Sequence, residues 1–298
     1  MKILITGANG QLGKTLIEIF KNRRSSKKIE VISTSRENMN LINEEECRNY
    51  IMNISPDWII NCAAYTAVDK AEKEQDLAFY INAKAPEIIS KALKDTGGKL
   101  LQISTDFVFD GKKSTPYLPD SETNPINIYG KSKALGEENI QNVFELSDNY
   151  IILRTSWVIS PIGRNFLLTM LKLHQDLESI KVVSDQIGCP SSTVEIGNAC
   201  WEIINNIEPK SYLPRIIHWR NNGVASWYDL AHSIGEIAHE IGIINSSAKV
   251  IPISSNEFPT AAKRPSFSLL DISESVDLLS IQPEHWRSSV RKILLKLI

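Results

Sequence analysis

Apolar positions along the chain fall into short unbroken runs, each followed by a stretch in which they recur every three or four residues. Lys2–Thr6, Ile29–Ser35, Trp58–Asn61, Leu100–Ser104 and Tyr150–Thr155 are runs of the first kind and predict buried strands. Leu16, Ile17, Ile19 and Phe20 carry the helical period after the first run. A long helical pattern reaches about Leu93 and is stopped by Thr96-Gly97-Gly98, and another starts at Tyr129 with Ala134, Leu135 and Ile140. Unbroken strands alternating with helices over residues 1–155 predict a parallel, doubly wound α/β sheet. In such a sheet ligands gather outside the carboxyl ends of the strands.

The rhythm changes after Ser156. A helix is expected to open at Gly163-Arg164-Asn165-Phe166, a short strand at Lys181–Ser184 and a turn at Asp185–Pro190. Thr193 to Ile207 reads as a helix and Arg215 to Trp219 as a strand, both returning to the first sheet. Ser226 caps a helix reaching Ile241. The region of Pro252, Pro259 and Pro265 reads as loop, and Ser273 to the C-terminus as helix broken at Pro283. The expected division is a Rossmann-like nucleotide-binding domain from 1–156 plus about 190–221, with a smaller C-terminal α/β substrate-binding domain from about 157–189 and 222–298.

Composition changes this picture little. The 298 residues suffice for a large core, and 42% hydrophobic with 23% charged residues is ordinary for a globular chain. A net charge of -2 gives no electrostatic case for nucleic acid or an anionic membrane as partner. Cys47, Cys62, Cys189 and Cys200 form no C-x-x-C pair; Cys62 and Cys200 sit in apolar runs, which suits core packing and a reducing cytoplasm. No run reaches the ~18 residues of a membrane span, and the first strand starts at once, so no signal peptide is expected. His174, His218, His232, His239 and His285 show no metal-helix spacing, and no metal site is expected.

The chemistry gathers at the strand ends. Gly7, Gly10 and Gly13 lie between the first strand and the first helix, the context that makes a glycine-rich turn a phosphate cradle. Gly7, Asn9, Gly10, Gln11, Leu12 and Gly13 are therefore expected to hold a dinucleotide at the helix N-terminus. The second strand ends on Ser33-Thr34-Ser35-Arg36, with Glu37 one place late for an acid on the ribose. Arg36 and the hydroxyls suit a 2′-phosphate, so NADPH is expected, with NADH the alternative. Ala63 and Ala64, with Tyr65 beside them, leave room for cofactor at the end of the third strand.

Ser104-Thr105-Asp106 ends the fourth strand, and Tyr129 and Lys133 lie four apart on the following helix. A hydroxyl, a phenol and an ammonium there converge on one carbonyl oxygen. Lys133 at ~4 Å would lower the Tyr129 pKa from ~10 by up to roughly three units. The chain holds a second copy of the spacing, Tyr80 and Lys84, which lies mid-helix and reads as a packing tyrosine with a solvated lysine.

These blocks resemble the extended short-chain dehydrogenases, and within them the dTDP-4-dehydrorhamnose reductase family. The likeness runs nearly end to end: Gly7–Gly13, Asn61–Glu72, Ser104–Phe109, Tyr129–Lys133, Arg154–Trp157, Gly163–Phe166 and Arg264-Pro265. It implies reduction of the 4-keto group of a dTDP-sugar by NAD(P)H. Tyr129 would then be the proton donor, Thr105 a hydrogen-bond donor to the same oxygen, and Lys133 the grip on the cofactor ribose. Asp106, Trp157, Asn165 and Arg264 would contact substrate. The position after Thr-Asp is commonly tyrosine in this family and here is Phe107; histidine often stands where Tyr65 does. Some members bridge subunits with magnesium through a glutamate at the place of Thr15, so a metal-bridged dimer lacks that ligand here, and a monomer or plain homodimer is expected. Two alternatives stay open: another nucleotide-sugar epimerase, dehydratase or reductase, and a non-catalytic NADP-binding regulatory subunit. A dehydratase would be expected to carry an acidic pair where Thr105-Asp106-Phe107 offers one acid.

Overall fold

Residues 1–23, 25, 28–145, 147–205 and 214–298 are described by the structure, a computed structural model. β1 (Lys2–Thr6) runs into α1 (Gln11–Asn22), followed by β2 (Glu30–Ser33), α2 (Glu44–Ile54) and β3 (Trp58–Asn61). Then come α3 (Ala85–Thr96), β4 (Lys99–Thr105), α4 (Ile128–Phe144) and β5 (Tyr150–Thr155). Beyond these lie α5 (Phe166–Asp176), β6 (Ser179–Val183), α6 (Thr193–Asn205) and β7 (Ile216–His218). The chain closes with α7 (Trp227–Glu240), β8 (Lys249–Ile253) and α8 (Trp286–Leu295), besides shorter turns of helix.

Six strands form one parallel sheet in the order β7-β5-β4-β3-β1-β2. The doubly wound α/β expectation is met, and strand Ile216–His218 joins this sheet beside β5. The order reverses between β1 and β3, so a crevice opens where their carboxyl ends diverge. Alternate residues of each strand feed opposite cores. Ile3 and Ile5 pack with Leu16 and Phe20 of α1 and with Ile196 and Trp201 of α6. Leu4 faces the other way, onto Ile51 of α2, Ile89 and Leu93 of α3, and Ile140 and Phe144 of α4. With both faces covered, β1, β3, β4 and β5 have almost no solvent side, which is why they are unbroken apolar runs.

A third core lies outside the sheet. Leu167 and Leu171 of α5, Leu230 and Ile234 of α7, and Val290 and Leu294 of α8 close around Ile180 of β6 and Val250 of β8. Asn165 caps α5 by accepting from Leu168 N–H at 3.1 Å. Ser226 caps α7 in a capping box with Asp229.

Two expectations change. The Pro252 region is not all loop: β8 pairs in parallel with β6, Pro252 opposite Val182. A two-stranded sheet has a free edge on each strand, where a proline nitrogen loses no ladder bond. The short strand is Ser179–Val183 rather than Lys181–Ser184. The helix expected to reach Ile207 is described to Asn205, and its last two expected residues lie outside the described residues. Among the described residues no helix is long and apolar enough to cross a membrane.

Candidate active site

The crevice at the strand switch is a cleft of about 930 Å³. Its floor is the β1–α1 turn. Gly7 has a φ of +65°, and a Cβ there would lie 2.8 Å from the Ala63 nitrogen, so side chain is excluded on both counts. A Cβ on Gly13 would lie 2.3 Å from the Gly7 carbonyl oxygen; its absence lets α1 start hard against the turn. Asn9, Gly10, Gln11 and Leu12 line the same floor, and Arg36 is exposed at the rim with Thr34 and Ser35. Ala63 and Ala64 line the wall. This cradle of backbone N–H groups at a helix start, with a guanidinium and two hydroxyls at its far end, fits a dinucleotide bearing a 2′-phosphate.

Tyr65 is not among the residues that line the cleft. Its hydroxyl donates to Glu74 Oε2 at 2.7 Å, and that bond pushes the phenol up to about 12. Its backbone is clamped instead. Tyr65 N–H donates to Asn82 Oδ1 at 2.8 Å, and Asn82 Nδ2 donates to the Tyr65 carbonyl at 3.0 Å and to Ser132 Oγ at 3.0 Å. Asn82 sits in a π-turn, Tyr80–Lys84, inside a continuous helical stretch. Such turns recur at functional sites because they re-aim one residue. Lys84 is spent on Glu87 at 3.4 Å and Glu44 at 3.8 Å, so this second Tyr–Lys pair stays away from the cleft.

Thr105, Tyr129 and Lys133 line one wall together. Asn127 starts α4 by accepting from Gly130 N–H at 2.7 Å, and its amide donates to the Lys263 carbonyl at 2.7 Å. Lys133 is buried, and its Nζ donates to the Ile103 carbonyl at 2.7 Å. Burial pulls this ammonium down to about 8, opposed by the nearby Glu137 carboxylate. Burial pushes the Tyr129 phenol up to about 12; the Thr105 hydroxyl opposes the rise and the Asp106 charge adds to it. The expected depression of Tyr129 by Lys133 is therefore not present. The ammonium is turned onto a main-chain carbonyl, and burial dominates at the phenol. A phenol so placed keeps its proton across the working pH range, which is the state a proton donor needs.

Asp106 is buried, and its Oδ1 accepts from the Thr105 hydroxyl at 3.1 Å. Burial raises the carboxyl to about 6, opposed by hydrogen bonds from the Ser268 and Thr105 hydroxyls. Phe107 packs edge-on against the Tyr129 ring, centroids 5.6 Å apart. Trp157 lines the cleft in left-handed backbone, φ 42°, a conformation that costs ~1–3 kcal/mol in a residue of this kind. Its indole lies flat on Trp227 of α7 at 3.6 Å, so a double aromatic plate forms part of the wall. Trp227 carries no motif in the sequence and was visible only as a helical apolar position.

Asn165 lines the cleft but its amide is committed. Besides capping α5, its Nδ2 donates to Gln11 Oε1 at 2.8 Å and to the Ser160 carbonyl at 3.0 Å. Gln11 in turn donates to the Arg164 carbonyl at 3.2 Å, so the pair ties the glycine turn to the loop before α5. Arg264 lines the opposite side and pairs with Asp69. Thr15 is buried and donates to Thr193 Oγ1 at 2.9 Å, inside the α1–α6 contact. Among the described residues no cluster of metal-ligating side chains occurs.

The parallel sheet, the glycine turn and the Tyr129–Lys133 helix make this an extended short-chain dehydrogenase/reductase fold. The match is closer than the class: over residues 1–298 the chain belongs to the family described as RmlD substrate binding domain. It is 36% identical to the spore coat polysaccharide biosynthesis protein SpsK of Bacillus subtilis, over 98% of this chain and 96% of that one. It is 35% identical to the dTDP-4-dehydrorhamnose reductase of Sinorhizobium fredii, over 100% and 98% of the two chains. The crystal structure of dTDP-4-dehydrorhamnose reductase from Bacillus anthracis in complex with NADP superposes with a TM-score of 0.88 at 35% identity, over 99% of both chains.

Proposed function

We propose that this chain is an NADPH-dependent reductase that converts the 4-keto group of dTDP-4-dehydro-β-L-rhamnose to the alcohol of dTDP-L-rhamnose. The observation that carries the reading is the joint presence of Thr105, Tyr129 and Lys133 on the wall of a cleft floored by the glycine turn. Full-length relatives bearing the reductase name support it, as does the NADP complex.

Bound in the cleft, the reduced nicotinamide supplies a hydride. Tyr129 gives its proton to the sugar oxygen as charge develops there, and solvent restores it afterwards. Thr105 holds the same oxygen; its hydroxyl rotates from Asp106 to do so. Lys133 grips the ribose hydroxyls, and Arg36 faces the 2′-phosphate. Asp106, held by the Thr105 and Ser268 hydroxyls, orients the groups that meet the sugar, and the plate of Trp157 on Trp227 carries the apolar face of the ring. Arg264 meets the diphosphate. The sheet with its flanking helices is the nucleotide side, and the core of α5, α7 and α8 the sugar side. The chain acts as a monomer or plain homodimer in the cytoplasm, where its four free cysteines stay reduced.

Loss of NADPH absorbance with the keto sugar as substrate tests the reading. Tyr129→Phe should bind NADPH normally and turn over about 10²–10⁴-fold more slowly. Unchanged turnover in that variant would remove the proposed acid.

A further inference from the structure

Behind the wall of the cleft lies an ion pair that the chemistry above does not use. Tyr129, Lys133 and Glu137 occupy successive turns of one face of α4. Glu137 is 3% exposed and its partner Arg154, on β5, 2%. Glu137 Oε1 accepts from Ser104 Oγ at 2.5 Å and Arg154 Nε at 3.0 Å, while Oε2 accepts from Arg154 Nη2 at 2.6 Å. Arg154 Nη1 donates to the Pro119 carbonyl at 3.0 Å and faces His218 Nε2 at 3.4 Å.

We propose that Glu137 is a positioning residue for Lys133, seating it at the tip of β4 and holding its ammonium charged. The role rests on the reductase reading. Two contacts fasten α4 to consecutive strand residues: Lys133 to the Ile103 carbonyl and Glu137 to Ser104. The next residue is Thr105, so these contacts set the height of the phenol against the alcohol. A buried ion pair is a weak source of stability compared with apolar residues of the same volume. What the pair adds is its field. The carboxylate lies one turn from Lys133, with Arg154 behind it, so the nearer negative charge dominates at the ammonium. The other titratable groups around Lys133 are Cys62 at the tip of β3, Tyr129 one turn earlier, and Asp106 just past the end of β4. Cys62 and Tyr129 are held neutral by burial, and His218 behind Arg154 is neutral as well. Asp106 does not figure among the charges that act on Lys133, and Glu137 gives the largest opposition to its desolvation.

The test is the NADPH dissociation constant against pH, read by quenching of tryptophan fluorescence. In the wild type, binding should weaken as pH rises through about 8, where the Lys133 ammonium gives up its proton. Glu137→Gln, and the double variant Glu137→Met with Arg154→Met, should move that limb down by about one pH unit, a tenfold change in the proton affinity of Lys133. Glu137→Asp keeps the charge and should leave the limb in place. A limb unmoved in either folded charge-free variant overturns the proposal. So does failure of both to give a cooperative melt, which would make Glu137 a stability element alone. If the wild type binds NADPH yet reduces no keto sugar, the reductase reading fails separately.

Discussion

Arg264 Nη2 lies 2.7 Å from Asp69 Oδ2, joining the loop after β8 to the segment after β3 across the rim of the cleft. Asp69 Oδ1 also accepts from Ala262 N–H at 3.0 Å, and Arg264 Nη1 donates back to the Ala262 carbonyl at 3.0 Å. The guanidinium therefore reaches the cleft already oriented, and its hydrogen bond holds the Asp69 carboxyl below the usual carboxylate range.

Asp69 is half exposed, so the pair is worth about 0–1 kcal/mol to stability. Asp69→Asn should leave the melting midpoint nearly unchanged. It frees Arg264 to swing, and the KM for the sugar nucleotide should rise severalfold with kcat retained. Steady-state kinetics checks this; an unchanged KM would make the pair a surface tie with no part in binding.

Gly13→Ala tests the floor. The new methyl would fall 2.3 Å from the Gly7 carbonyl oxygen and 2.9 Å from Ala8 Cα, both main-chain atoms that cannot turn aside. The start of α1 must back away from the turn, which costs about 1–3 kcal/mol as overpacking does. It also draws the helix N–H groups off the phosphates. NADPH affinity measured by fluorescence should fall by roughly tenfold or more, the value of about one charge-assisted hydrogen bond. An affinity within twofold of wild type would place the dinucleotide elsewhere.

Acid stability should be governed by His218. Burial and Arg154 pull its pKa to about 3 from 6.5. Between those values the unfolded chain binds the extra proton, so stability is full above about 6.5 and falls as pH drops. Asp106 works the other way: raised to about 6 from 3.8, it makes the folded chain the better proton binder in that window, so its contribution grows as pH falls. The histidine is displaced further, so the net effect is loss on acidification. His174, also lowered by burial, adds to that loss. The urea midpoint should be lower at pH 5 than at pH 7.5, and His218→Gln should shrink the difference. A midpoint rising toward pH 5 would show that Asp106 dominates.

Much of this was legible in residue pattern. Lys2–Thr6 and Tyr150–Thr155 are strands with the bounds their apolar runs predict, because small or polar residues end each run at the sheet edge. The glycine turn was legible because only glycine satisfies a left-handed turn and a close helix at once. Directions of side chains were not. Tyr65 stands in the right loop and points out of it, toward Glu74. Glu137 carries no motif of its own; its burial comes from pairing with Arg154 on the neighbouring strand, a contact between distant residues that local pattern does not encode. The proton affinity of Tyr129 is hidden for a related reason: the spacing suggests a Lys133 charge at close range, whereas the ammonium is drawn to Ile103 and both groups are desolvated.

Asn82 offers the sharpest test of how the π-turn serves the site. Its one amide satisfies both main-chain groups of Tyr65 and reaches Ser132, the residue before Lys133. The amide thus couples the loop of Ala63 and Ala64 to the helix that carries Tyr129. Asn82→Ala leaves a part-buried Tyr65 N–H and carbonyl without partners, at up to about 1–3 kcal/mol each unless water enters. Asn82→Asp keeps the acceptor for the Tyr65 N–H but loses both donated bonds, and it buries a charge near a carbonyl. Both variants should melt earlier, with aspartate the worse at pH 8 and closer to alanine at pH 5, where its carboxyl takes up a proton. Both should also raise the KM for NADPH together with a drop in kcat, since loop and helix lose their common anchor. Thermal melts at the two pH values, beside kinetics at saturating sugar, separate the effects; a variant that melts early with unaltered NADPH KM would confine Asn82 to stability.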